Sequence, residues 1–423
     1  MSPTRPQRPG ARSARLPAAG VIAERRLPAE LRRGIPEPAV EVGGRVVLAL
    51  PDGVRIEHGG EAVALRGLER PELGAWVLAR GDWDGEQLRV EALALVQAPQ
   101  RAFGAADSEW AFGRHGVRML AQRHALQRAI RAHFDARGFV EVETPALVPA
   151  PALELHVSAL EVLGAGAPRW LHTSPELHMK RLLCAGLPRI YQLCKTYRRD
   201  ELGALHEPEF TMLEWYRAFA ASEAVMQDTE QLVAAGALAL HGTTRLPARG
   251  TGGPGELDVA PPWPRLTVRE AFSRYAGLDV DAILPDEDAF FRALAERIEP
   301  QLGRGKPVFL THFPASMAAL ARLRDDDPRS ADRFEAYANG VELCNGFGEL
   351  TDPVEQRRRF EADRAARAQR GLPVYPLAER FLTALEDGMP PSGGNALGFD
   401  RLAMLLLGAV RIEDVVAFGS NRS

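Results

Sequence analysis

Apolar and polar residues alternate in short runs through positions 36–99, and the period lengthens from about residue 116. The first region contains Ala39-Val40-Glu41-Val42, Val46-Val47, Val54-Arg55-Ile56-Glu57, Ala75-Trp76-Val77-Leu78-Ala79 and Leu88-Arg89-Val90-Glu91-Ala92-Leu93. A period of two places alternate side chains on one face, which predicts strands. Gly59-Gly60 and Asp84-Gly85 stand where turns are needed. About five short strands in this span predict a small all-β, OB-like barrel. From Val117 to Arg137 the apolar positions Leu120, Ala125, Ile130 and Phe134 follow a helical period, and Gly138 stands at the expected C-terminal stop. Helical and strand patterns then mix to the end, predicting an α+β domain over 116–423. Residues 100–115 read as a linker. Arg245–Pro264, rich in Gly and Pro, reads as an inserted loop. No internal repeat is evident.

Composition narrows the class. The 423 residues are 46% hydrophobic and 26% charged, as in an ordinary globular protein. No apolar run approaches the ~18 residues of a membrane helix. A net charge of −4 gives no whole-chain attraction to nucleic acid or anionic lipid. Cys184, Cys194 and Cys344 lack the spacing of a disulfide framework or zinc site, which fits a reducing cytoplasm. Lys180, Lys195 and Lys306 are the only lysines among 52 basic residues, so arginine-rich stretches carry little functional weight. The basic segment 1–35 is therefore expected to be a disordered tail, with an RNA-attracting arm as the competing reading. Trp76 and Trp83 are the only aromatics in the OB-like segment, few for stacking bases.

Four stretches carry chemistry. Arg137-Gly138-Phe139-Val140-Glu141-Val142-Glu143-Thr144-Pro145 is a helix running into a strand that proline ends. Tyr197-Arg198-Arg199-Asp200-Glu201 leads through a loop to His206-Glu207-Pro208-Glu209-Phe210 and then Glu214-Trp215-Tyr216, where period two puts Glu214 and Tyr216 on one face. A fixed guanidinium there suits a phosphate or carboxylate. Glu335, Glu342 and Glu349 recur at intervals of seven. Gathered carboxylates repel unless a cation is present, and hard oxygens suit Mg²⁺ with nucleotide phosphates. Gly393-Gly394-Asn395-Ala396-Leu397-Gly398 offers close backbone approach ahead of a helix bearing Arg401.

In this order the stretches resemble motifs 1, 2 and 3 of the class II aminoacyl-tRNA synthetases, over roughly residues 115–423. The chain is most similar to the lysyl group, and within it to the paralogues that lysylate elongation factor P. Ser174-Pro175-Glu176-Leu177-His178-Met179-Lys180, the Trp215-Tyr216-Arg217 run, His312-Phe313-Pro314-Ala315-Ser316 and Ala396 match the paralogue. A lysyl-tRNA synthetase normally has Gly at the position of Ala396.

The resemblance implies an antiparallel sheet flanked by helices, preceded here by the OB-like domain. It implies ATP-dependent activation of β-lysine or lysine and transfer to a lysine side chain of elongation factor P, with ATP and Mg²⁺ required. Arg198, Asp200, Glu201, His206, Glu207, Phe210, Glu342, Leu343, Gly398 and Arg401 are expected at ATP, with Arg198 and Arg401 catalytic. Ser174, Pro175, Glu176, Glu214, Tyr216, Asn345, Phe347, Glu349 and Ala396 are expected at the amino acid, Glu176 near its carboxylate end and Glu214, Tyr216 and Glu349 at the distal ammonium. Glu335 and Glu342 are expected to hold the metal. A cytoplasmic homodimer is expected, without membrane binding; tRNA binding is not expected but stays open. Five features depart from the family: Asp200 where Glu is common, Ala204-Leu205 in place of a loop arginine, Glu207 in place of Asn, Met317 in place of a frequent Gln, and the amino-terminal OB-like segment. The OB-like segment and the basic tail keep a lysyl-tRNA synthetase open as an alternative, and the missing loop arginine with Asp200 keeps open a non-catalytic binding protein.

Overall fold

The computed structural model describes residues 26–68, 70–100, 116–164, 166–247 and 255–420. The chain forms two compact units, Met1–Ala121 and Gln122–Ser423.

The first unit is a closed barrel of β1 (Glu37–Leu50), β2 (Gly53–His58), β3 (Glu61–Arg66), β4 (Trp76–Trp83) and β5 (Gln87–Gln97), in the order β1-β2-β3-β5-β4. Only β3 and β5 pair in parallel. Five strands in this closed order make the OB-type barrel that the alternation predicted. Val40, Val42 and Val46 of β1, Val54 and Ile56 of β2, and Val63 and Leu65 of β3 fill its interior. The separate runs at 39–42 and 46–47 form one strand. Its first half pairs with β4 and its second half with β2, with an irregularity at Val46/Leu48 in the β2 pairing.

The expected tail needs correction. Residues 1–25 lie outside the described residues, but 26–35 belong to the barrel. Arg26 donates its amide to the Glu41 carbonyl at 3.0 Å, and Leu31 is buried in the barrel core. The indole of Trp83 donates to the Arg32 carbonyl at 2.9 Å. One leucine on a short turn begun by Pro28 is enough to anchor a segment that composition alone reads as disordered.

The second unit is built on eight strands: β6 (Val140–Glu141), β7 (Arg189–Tyr197), β8 (Glu209–Ala218), β9 (Arg265–Thr267), β10 (Val308–Pro314), β11 (Ser330–Ala338), β12 (Val341–Gly348) and β13 (Ser392–Gly398). Their order is β9-β10-β11-β12-β13-β8-β7-β6, antiparallel except at the two edge pairs. The helices are α1 (Gly116–Asp135), α2 (Glu176–Cys184), α3 (Ser222–His241), α4 (Pro353–Gln369), α5 (Glu379–Asp387) and α6 (Phe399–Leu407). Helix α1 ends two residues before the predicted Arg137. Gly138 follows at φ +71, and the Phe139 amide returns to the Phe134 carbonyl at 3.2 Å.

Consecutive residues of β8 face opposite sides of the sheet. Trp215 turns toward Phe134 of α1, their ring centroids 5.5 Å apart, and its cross-strand partner Asn395 donates to Thr229 of α3 at 2.9 Å. Tyr216 turns the other way, into a core with Leu177 and Leu183 of α2, Phe360 of α4 and Leu382 of α5. Two helical layers therefore sandwich the sheet. The expected loop Arg245–Pro264 also needs correction. Arg245–Pro247 pairs with Glu256–Asp258, burying Leu246 and Leu257, and Trp263 is buried behind them.

Arg123 of α1 ties three elements together. Its guanidinium meets Asp400 of α6 at 2.5 Å, donates to Thr211 of β8 and to the Val415 carbonyl at 3.0 Å each, and lies 4.5 Å from the Phe399 ring centre. Asp400 is only 1% exposed. Replacing Arg123 by alanine leaves that carboxylate buried without its cation, a loss of about 3–5 kcal/mol. Urea unfolding followed by circular dichroism should show the midpoint fall accordingly, whereas an unchanged midpoint would mean the pair contributes nothing.

Candidate active site

Cross-strand register builds the site from one face of the sheet. Ala396 of β13 lies opposite Glu214 of β8 on one side and Asn345 of β12 on the other. Asn345 is in turn opposite Glu335 of β11, and Phe347 is opposite Arg333. Gly394 lies between Tyr216 and Phe347, where an added Cβ would fall into the Tyr216 ring and the Glu349 carboxylate. Of these residues Ala396, Asn345, Glu335, Phe347 and Arg333, with the start of α2 and the β7–β8 loop, border a cavity of about 320 Å³.

Of the residues expected at ATP and the metal, Arg198, Glu201, His206, Glu207, Phe210, Glu335, Glu342, Leu343, Gly398 and Arg401 line this cavity. So do Ser174, Glu176, Asn345, Phe347 and Ala396 from the amino-acid set. Pro175, Glu214, Tyr216 and Glu349 stand off the lining. Glu214 reaches it through Ser174, whose hydroxyl donates to Glu214 at 2.8 Å. Asp200 is not brought in. Its backbone is at φ +66, and its exposed side chain pairs with Arg199 at 3.1 Å, so Glu201 is the acid of this pair that faces the cavity.

At one end the site is acidic and dry. Lys180, fully buried, sits 2.6 Å from Glu176, one helical turn away, and 2.5 Å from Glu349. Burial works against its charge, but the two carboxylates win and hold the ammonium above its ordinary range. Two carboxylates facing one ammonium cannot both ionise cheaply, and burial pushes Glu349 up to about 8 despite Lys180. Glu214 receives the Tyr216 hydroxyl at 2.6 Å and is likewise pushed up to about 8, first by burial and then by Glu176. The three carboxylates spaced at intervals of seven thus divide: Glu349 faces Lys180, while Glu335 and Glu342 stay at the cavity.

The other end is cationic. Arg198 stands 3.6 Å from Glu201, with its guanidinium 5.3 Å from the Phe210 ring centre. Arg401 meets Glu342 at 3.3 Å and the His206 ring at 2.6 Å, and with burial it pushes that imidazole down. Glu335 is held by Arg333 at 2.5 Å and by the Tyr337 hydroxyl at 2.7 Å. Burial raises its carboxyl, as does Glu342. Two neighbouring carboxylates with space for phosphate oxygens are a donor set that Mg²⁺ accepts. Glu207, where the family has Asn, accepts the Ser420 amide at 3.0 Å and its hydroxyl, so it anchors the C-terminal segment.

Four buried atoms on the lining have no hydrogen-bond partner: the donors Nε of Arg198 and Nε of Arg333, and the acceptors Oδ1 of Asn345 and Oδ1 of Asp400, the last ion-paired with Arg123. Buried donors and acceptors left open on one cavity wall suit a polar ligand that bonds to both kinds. Sequence reasoning missed Glu154 and Arg333, which also line the cavity. It quoted Lys180 without seeing its role, although the i, i+4 spacing from Glu176 was readable.

Comparison with known proteins agrees with this geometry. The family described as tRNA synthetases class II (D, K and N) matches residues 114–422. A protein of Edwardsiella ictaluri named elongation factor P–(R)-β-lysine ligase is 42% identical over 315 residues, covering 73% of this chain and 96% of that protein. One of the same name from Salmonella arizonae is 41% identical over 333 residues, covering 72% and 95%.

Lys180→Met would leave Glu176 and Glu349 facing each other without their cation. At pH 8 the loss of stability should be about 3–5 kcal/mol. Lys180 holds the buried Glu349 carboxyl down, so without it that carboxyl titrates still further above its unfolded value of 4.5; the folded variant then holds more protons than the folded wild type and its stability falls more steeply as pH rises. The deficit should therefore shrink between pH 8 and pH 5. Urea midpoints of both proteins at the two pH values test this, and a deficit independent of pH would contradict it.

Proposed function

The chain belongs to the class II tRNA synthetase family of the D, K and N type, and on that premise we propose that it is an ATP-dependent ligase that activates (R)-β-lysine, or lysine, and joins it to a lysine side chain of elongation factor P. The observation that carries this reading is one cavity lined both by arginines suited to phosphate, Arg198 and Arg401, and by the carboxylates Glu176, Glu335 and Glu342, with Arg198 Nε and Asn345 Oδ1 among its buried unpartnered atoms. The names of two relatives, each covered over at least 95% of its length, supply the acceptor and the amino acid.

In this reading the substrate's distal ammonium lies at Glu214 and Tyr216, and its second amino group at Glu176. A buried ammonium is costly unless paired. A carboxyl held near 8 gives up its proton as the cation arrives, so the site exchanges a proton for an ammonium and keeps its charge balance. Arg198 holds the substrate carboxylate against the α-phosphate of ATP, and Arg401 receives the outer phosphates. The carboxylate oxygen attacks the α-phosphorus and pyrophosphate leaves. Glu335 and Glu342 would hold Mg²⁺, which neutralises charge on the phosphate oxygens. Positioning and preorganised charge suffice for this step, and no side-chain nucleophile is needed.

The barrel does not favour the tRNA-charging alternative. Trp83 is 3% exposed and its indole is bonded inside the unit, so it offers no face to a base. Trp76 alone remains, beneath Arg45 and beside His58. The reading includes pairing through the motif 1 segment as a symmetric homodimer and residence in the cytoplasm. Among the described residues no helix is long and apolar enough to cross a membrane.

ATP–pyrophosphate exchange with (R)-β-lysine, L-lysine and no amino acid tests the proposal, with mass spectrometry of elongation factor P as the second readout. Exchange should favour β-lysine. Ala396→Gly removes the methyl between Glu214 and Asn345, and should shift the ratio of kcat/KM toward L-lysine by about 10- to 200-fold, the worth of one methyl group. Exchange without any mass shift on elongation factor P would sink the assigned acceptor.

A further inference from the structure

A second cavity, of about 440 Å³, adjoins the first and shares Glu154, Ala319, Leu320 and Arg333 with it. Its walls are largely apolar, with Leu153, Leu155, Val157, Phe291, Met317 and Phe360. Its arginines are engaged, although Nε of Arg333 is buried without a partner. Arg358 and Arg359 both bond Glu355, Arg359 also reaches the Ala319 and Ala321 carbonyls at 2.8 Å, and Arg333 holds Glu335 and the Met317 carbonyl. The carboxylate of Glu154, in contrast, accepts no hydrogen bond from any described residue. Ala319, in the same shared wall, is held at φ +49, a strained conformation of the kind that clusters at functional sites. Beyond Ser316 and Glu287 the second cavity meets a wide surface hollow lined by Asp281, Asp286, Glu287 and Asp288, with Arg370 its only cation.

A passage with apolar wall segments, carboxylates at its mouth and the unengaged carboxylate of Glu154 where it meets the first cavity is complementary to an aliphatic stem tipped by an ammonium, and Asp363 in its wall adds a further carboxylate. We propose that this second cavity receives the acceptor's lysine side chain, and that Glu154 is the base that deprotonates it. The proposal rests on the ligase reading above and assigns it a second substrate site. The acceptor's ammonium gives one proton to Glu154. Its nitrogen then bonds to the carbonyl carbon of the mixed anhydride. The bond from that carbon to the phosphate oxygen breaks, its electron pair leaving with AMP, and the nitrogen's second proton passes to the departing phosphate. Glu154 returns its proton to solvent. The charged groups facing it are Arg198, Glu176, Arg333 and Glu201, and burial raises its carboxyl toward the range of an effective base.

The test compares two rates in each variant: amino-acid-dependent pyrophosphate exchange, which needs no acceptor, and transfer to purified elongation factor P. Glu154→Gln should lower transfer relative to exchange by about a hundredfold or more. Trapping of the activated amino acid by hydroxylamine, which is already neutral at pH 7, should fall no further than exchange does. Raising the pH from 7 to 9 should restore the variant's transfer step by step, as solvent takes over the deprotonation. Ser316→Arg, at the junction of the cavity and the acidic hollow, should lower the same ratio, and Ser316→Glu should not. Transfer that keeps pace with exchange in Glu154→Gln, or equal effects of the two Ser316 variants, would overturn the proposal. Absence of exchange in the wild-type protein would instead overturn the ligase reading, and this proposal with it.

Discussion

One ammonium buried among carboxylates organises the second unit. Lys180 joins α2, through Glu176, to the strand end that carries Glu349, with both Lys180 and Glu349 almost fully buried. Such a contact is expensive to build and more expensive to break. It constrains its surroundings closely. Tyr216 and Phe347 lie with their ring centres about 6 Å from the ammonium, and Gly394 must be glycine because a side chain there would displace Tyr216 or Glu349. A cation of the protein's own thus occupies part of an acidic site, and Glu214, which has no ion pair with Lys180, is where the ligase reading puts the substrate's distal ammonium.

Much of the architecture was readable because it rests on period. Strand β2 buries Val54 and Ile56 about exposed Arg55, and β4 buries Val77, Ala79, Gly81 and Trp83 in alternation with Leu78 added, whereas β5 buries only Leu88, with Val90 and Leu93 half-buried against the core. Helix α1 shows a helical stripe with Gly138 as its stop. The failures have a different origin. Residues 26–35 and 245–264 are held by a few buried side chains each, Pro28 and Leu31 in one case and Leu246, Leu257, Val259 and Trp263 in the other. Glycine, proline and arginine dominate their composition, so the anchors are diluted below any periodic signal. Long-range pairing decides these segments, and local pattern does not contain it.

The site was readable to the extent that it lies on strands. Once β8, β12 and β13 are in register, Glu214, Ala396 and Asn345 must lie side by side, and the period-two spacing of Glu214 and Tyr216 already implied their hydrogen bond. The resemblance supplied the order of the strands, which spacing cannot. Glu154 was invisible because it sits in an irregular stretch with no motif around it, and only the fold brings it beside Arg198. Arg333 was hidden differently: its partner Glu335 was read as a metal ligand, which left no reason to look two residues upstream. Glu207, which stands where the family has Asn, directs its hydrogen bonds to Ser420 while still lining the cavity, so the exchange ties down a neighbouring segment, which local pattern does not show.

These features together explain why the cavity is polarised along its length. Acyl activation needs a cationic end that tolerates phosphate and an acidic end that tolerates ammonium, and the two would collapse onto each other if they touched. The sheet prevents this by putting Ala396, Asn345 and Phe347 between them, side chains without charge on three adjacent strand positions. On the ligase reading, the second reactant brings another cation, and neither end of the first cavity can admit it. The acidic end is matched to the amino acid, and the cationic end repels it. A separate approach with its own carboxylate, beside the reacting carbon and away from both ends, is what the charge distribution requires, and the wall containing Glu154 is where the structure offers one.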